Sequence, residues 1–135
     1  MRPASSAERG FTLIEVLVSI LIFSIGVLGM VAMQARAVQT GTDSQDRNHA
    51  AALANELAGN MWAVHTGDVT NPLLTNYYTN TWLPEVAAAL PGGVGSATLS
   101  TTGTTAGVTT IQINWTPTSR TTNNPAQYLT ELVIQ

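Results

Sequence analysis

Between Phe11 and Ala35 the chain is apolar at nearly every position, 25 residues with a single charge at Glu15. At about 1.5 Å per residue such a helix is roughly 37 Å long, enough to cross a bilayer core of about 30 Å. After Arg36 the pattern changes but does not break. Asp43-Ser44-Gln45-Asp46-Arg47 is mixed and polar, and Ala50 to Trp62 is rich in alanine. At about 100° per residue Ala50, Leu53, Leu57, Met61 and Val64 share a stripe roughly 80° wide, as in a helix packed on one face. Gly67 is the stop signal. Phe11 to about His65 therefore reads as one long helix, membrane-embedded in its first half and packed on a domain in its second.

Residues 66–81 are rich in Thr, Asn and Tyr, with Asn71-Pro72 as a turn signal. A short second helix follows, in which Trp82, Leu83, Val86, Ala87 and Leu90 recur at helical spacing with Pro84 near the first turn. Pro91-Gly92-Gly93 ends it. From Ala97 the period falls to two. Ala97–Thr102 is a first strand, 103–107 a hairpin connection, and Val108–Trp115 a second strand with Ile111, Ile113 and Trp115 on one face. Thr116 to Ala126 is a polar loop, and Tyr128–Ile134 is a third strand. One long helix against a three-stranded antiparallel sheet is an α+β fold.

The ten residues before the apolar run are polar and end in Gly10. A secretory signal peptide fits poorly, because its apolar core would span about 7–15 residues and close on a small-residue cleavage site. Here the apolar stretch runs on into a helix. A lone carboxylate inside it costs a few kcal/mol and is rarely kept without a partner.

Composition narrows the classes further. The 135 residues leave room for one small head domain beyond the apolar segment. The net charge is −3, there is no lysine, and the arginines beyond residue 10 (Arg36, Arg47, Arg120) are scattered. A nucleic-acid interface needs a basic patch, so no nucleic acid is expected as a partner. Cysteine is absent, which excludes a disulfide, a Cys-based metal site and thiol chemistry. Arg2 and Arg9 precede the apolar run while Arg36 and Arg47 follow it, so the charges alone do not orient it.

The junction GFTLIE at 10–15 resembles the prepilin cleavage site of type IV pilins and type II secretion pseudopilins. The resemblance implies a prepilin peptidase as partner, cutting between Gly10 and Phe11 and methylating the new Phe11 amine. It also implies that Glu15 pairs with the Phe11 amine of a neighbouring subunit during assembly. A buried carboxylate is tolerable when it meets a cation in low dielectric, and cleavage creates one. The domains implied are a leader at 1–10, a membrane and assembly half-helix at 11–36, and a head at 37–135. The N-terminus would be cytoplasmic, in an inner-membrane protein that later joins a surface pilus. Gly26 and Gly29 interrupt the apolar half, each at a cost of about 1 kcal/mol against alanine. They allow two readings, close helix–helix packing or a flexible segment that unwinds on assembly.

Further along, IGVLGMVAMQARAV at 25–38, AAALANELAGNMWA at 50–63 and WLPEVAAALPGGVGSATL at 82–99 resemble the PilV family of minor type IV pilins. That resemblance implies the pilin fold and a minor pilin that joins other minor pilins and the major pilin, priming pilus assembly at the filament tip, with twitching motility as an output; a surface adhesin whose C-terminal loops bind a receptor in cell adhesion is a further reading, compatible with the first. A minor pseudopilin of the I type, in a type II secretion system, is the alternative. The chain departs from the family pattern at Gly59-Asn60-Met61-Trp62. Trp62 lies about 180° around the helix from Leu53, either packed under residues 66–81 or facing a neighbouring subunit.

Enzymatic chemistry has little to work with. His49 and His65 lie roughly 160° apart around one helix and cannot share a metal or relay a proton within a subunit. Asp43, Asp46 and Glu56 read as solvated helix positions, since a calcium loop would need its ligands clustered in a short turn. Gly92-Gly93-Val94-Gly95 leads into a strand and not a helix, so it does not cradle phosphate. No catalysis, cofactor or metal is expected.

Overall fold

A computed structural model describes residues 12–119 and 124–134. The chain is helix α1 (Leu13–Ala63), α2 (Pro72–Tyr77), a π-helical turn (Tyr78–Trp82), α3 (Leu83–Ala89), and strands β1 (Val94–Leu99), β2 (Val108–Trp115) and β3 (Ala126–Val133). It divides into two compact units, Met1–Val38 and Gln39–Gln135, and α1 contributes to both. The architecture is α+β, with one long N-terminal helix and a three-stranded antiparallel sheet in the order β1-β2-β3.

In the second unit α1 buries Asp46, Ala50, Leu53, Ala54, Leu57 and Met61. Apart from Asp46, these are the alanine–leucine stripe and its neighbour Ala54. They meet Trp82, Val86 and Leu90 from the shorter helices and Ile111, Ile113 and Trp115 from β2 in one core. Strict alternation along β2 also buries Thr109, whose hydroxyl donates to the Gly67 carbonyl at 3.1 Å.

Helix α1 stops two residues short of the expected His65, and the signal that ends it is not Gly67. It ends at Ala63, and His65 takes a left-handed conformation with φ of 53°. The His65 amide donates to the Trp62 carbonyl and the Thr66 amide to the Met61 carbonyl, the paired closing bonds of a Schellman cap. Gly67 lies beyond the cap because a Cβ there would collide with Thr109 Oγ1.

Residues 66–81 also differ from the loop that composition suggested. Asn71 is a helix N-cap, its side chain accepting from the Leu73 amide at 3.0 Å, and Pro72 occupies the first helical turn. The dipeptide read as a turn thus begins a helix, and Leu74 anchors it in the core. The π-helical turn just before α3 follows from Pro84. In α geometry its ring would strike the carbonyl four residues back, and it has no amide to donate. The wider turn, closed by the Leu83 amide on the Tyr78 carbonyl, relieves that conflict. Trp82 leaves this turn fully buried, stacks on Tyr78 with ring centroids 5.5 Å apart, and donates its indole N–H to the Leu53 carbonyl at 2.8 Å. Trp62 is not packed away; it is 52% exposed.

Strand β1 starts at Val94, three residues before its alternation becomes visible, and ends at Leu99, not at Thr102. Gly95 belongs to the strand because the Trp82 ring lies against it: a Cβ would fall 2.6 Å from Cζ3. Strand β3 starts at Ala126, two residues earlier than expected, since Ala126 still pairs with Trp115.

Candidate functional site

The candidate site is the apolar half of α1. Its first turn is anchored by the Thr12 carbonyl, which accepts from the amides of Glu15 and Val16. From Thr12 to Val38 every residue is exposed, including Phe23 at 72%. Bulky aliphatic side chains surround the helix, so no single face could bury them against one neighbour. Length and composition suit this helix to crossing a membrane.

Polar groups along this half are mostly satisfied within the helix. The Ser19 hydroxyl donates to the Glu15 carbonyl and the Ser24 hydroxyl to the Ile20 carbonyl, each at 2.7 Å. The Glu15 carboxylate has no hydrogen bond or ion pair among the described residues and sits in the first helical turn, where the positive end of the helix dipole favours an anion. The helix passes unbroken through Gly26 and Gly29, and a Cβ at either would meet nothing within 4 Å. Nothing among the described residues requires glycine there. Gly10 and Phe11 lie outside the described residues, as does Arg120.

Residues 5–31 match the prokaryotic N-terminal methylation motif. That supports a pilin-like protein. No curated protein and no solved structure matches the chain. The motif and the apolar helix together are consistent with processing by prepilin peptidase, inner-membrane anchoring and pilin-type assembly, and they suggest a structural protein, a type IV pilin or pseudopilin.

Elsewhere the titratable residues do not converge. Among the described residues no group of three or more His, Asp or Glu could hold a metal ion. His49 and His65 are both exposed. Asp46 corrects its reading as a solvated position: it is only 8% exposed, and its Oδ2 is buried with no hydrogen-bond partner among the described residues. It lies one turn before Ala50 on the packed stripe, a placement the helical period contained but its charge obscured.

Three contacts had no sequence signal. Glu56 accepts from the Tyr77 hydroxyl at 2.6 Å, tying α2 to α1. Burial, and then this carboxylate, push the Tyr77 phenol above its ordinary range. Asp43 accepts from the Ser119 hydroxyl at 2.6 Å, 76 residues away in sequence. Asp68 accepts from both the hydroxyl and the amide of Thr70, which hold its carboxyl below the usual range.

Proposed function

We propose that this chain is a minor type IV pilin, of the PilV kind, that joins a minor-pilin complex priming pilus assembly at the filament tip. One observation carries the reading: a methylation motif running into an exposed half-helix that is apolar on all sides and, up to Ala35, charged only at Glu15. Residues 1–10 are the leader, 11–36 the membrane and assembly half-helix, and 37–135 the head. Cleavage after Gly10 frees the Phe11 amine, which keeps its positive charge when methylated.

Function then follows from packing. The half-helix leaves the bilayer for a bundle of like half-helices, exchanging lipid contacts for side-chain contacts of similar polarity. Glu15 supplies register, because its carboxylate is stable in that bundle only where a neighbour's Phe11 amine meets it. Gly26 and Gly29 serve the bundle by close approach or by local unwinding, since the isolated helix uses neither.

Mass spectrometry of the mature protein should find N-methylated Phe11 at its terminus; an intact leader in assembled filaments overturns the processing. Glu15→Ala should insert into the membrane at least as well as the wild type yet enter filaments poorly. Loss of the gene should reduce surface pili and twitching, with the protein a small fraction of sheared pili. If loss changes protein secretion alone, the I-type pseudopilin reading replaces this one.

A further inference from the structure

The sheet has two edges, and they are not alike. The outer edge of β1 is tied to the preceding helical segment, where the Ala97 amide donates to the Tyr78 hydroxyl at 3.3 Å. The outer edge of β3 has no such tie among the described residues. β3 is eight residues long and pairs with β2 at every position from Ala126 to Val133 without a bulge. It contains no proline and no basic residue, the devices that ordinarily keep an edge from pairing.

Two further observations describe what fits this edge. On the core side Tyr128 and Leu132 are only half-buried, although they pack against fully buried residues, because the sheet stops at β3. On the opposite side Leu129 and Val133 are exposed at 50% and 47%, and Glu131 stands between them as the only charge on the strand. Unpaired backbone N–H and C=O groups along an edge are matched by another extended backbone. A second copy of this chain is a poor match. None of its three strands carries a basic residue to meet Glu131, and pairing β3 with itself about that residue would set like charges opposite each other.

We propose that the free edge of β3 is a docking site for an extended segment of a different protein chain, added as a fourth strand, with Lys or Arg opposite Glu131 and apolar residues covering Tyr128 and Leu132. The inference rests on the head alone and does not depend on the assembly role proposed above.

The full chain in detergent micelles can be tested with a synthetic ten-residue peptide of alternating Val and Thr, one central Thr replaced by Arg. Amide hydrogen exchange should slow across 126–133 when the peptide is added and stay unchanged across 94–99. Replacing the peptide's Arg by Glu should weaken binding about fivefold, the scale of turning an opposite-charge cross-strand pair into a like-charge one. Glu131→Arg should reverse that preference, and the peptide-side comparison on the unaltered chain stands even if this variant folds poorly. Unchanged exchange in β3 at saturating peptide overturns the proposal, as does equal affinity for both peptides. Protection of β3 that rises with protein concentration in the absence of peptide would assign the edge to a second copy and overturn it equally.

Discussion

From Leu13 to Met33, α1 carries apolar side chains around its whole circumference, and every residue to Val38 is exposed; from Gln39 to Ala63 it buries one stripe and turns Gln45, Asn48, Asn55 and Glu56 to solvent. The backbone is helical throughout, so the difference lies in what surrounds it. The second stretch finds its apolar partners in the same chain, in Trp82, Val86, Ile111 and Ile113. The first finds none among the described residues, and its length and composition suit it to a membrane. Continuous helical hydrogen bonding thus says nothing about where stability comes from. In one half it comes from packing within the fold; in the other it depends on the medium.

Opposite outcomes for the same substitution would test this contrast most severely. Leu57→Asp places an unpaired charge in the fully buried stripe and should cost about 4 kcal/mol or more, enough to unfold the head. Leu28→Asp in the exposed half should leave the melting of the head unchanged in detergent while impairing membrane insertion by roughly 3 kcal/mol. A head that survives Leu57→Asp would mean the wrong face of α1 is assigned to the core. Removing residues 1–36 sharpens the point: the remaining chain should be water-soluble and melt cooperatively by calorimetry, and aggregation would show that the apolar half supports the head.

Smaller effects probe how the packed half is finished. The fold favours the neutral Tyr77 phenol, whose pKa is raised above its ordinary value of about 10. That stabilisation is complete below pH 10 and is lost as the pH rises beyond it. Tyr77→Phe should cost about 1 kcal/mol at neutral pH and flatten that alkaline loss, both measurable by denaturant titration. His65→Gly should stabilise the head by about 0.5–1 kcal/mol, because glycine adopts the left-handed cap without strain. A neutral or destabilising result would mean the imidazole makes a compensating contact.

Much of this architecture was legible in the residues themselves. The apolar run and the 3.6-residue stripe on α1 locate both halves of the long helix, and the alternation of Ile111, Ile113 and Trp115 locates the central strand. What escaped was decided by contacts distant in sequence. Asn71-Pro72 has the same composition in a turn as at a helix start, and only the burial of Leu74 and Trp82 selects the helix. Gly67 resembles a helix stop, yet it serves a strand 42 residues away. Of the candidate site, the carboxylate and its apolar setting were readable because a membrane span is a local property of sequence. The exposed β3 edge was not, since an edge exists only once strand order is known.

The placement of the three tryptophans makes the protein its own optical reporter. Trp82 and Trp115 are sealed in the core, whereas Trp62 stands half in solvent on the outer face of α1. Collisional quenchers such as acrylamide will therefore extinguish one indole selectively, and the red edge of the emission belongs to that residue. Anything that settles on this face of the helix should shift the emission to the blue and shield it, with no dye attached and no residue changed.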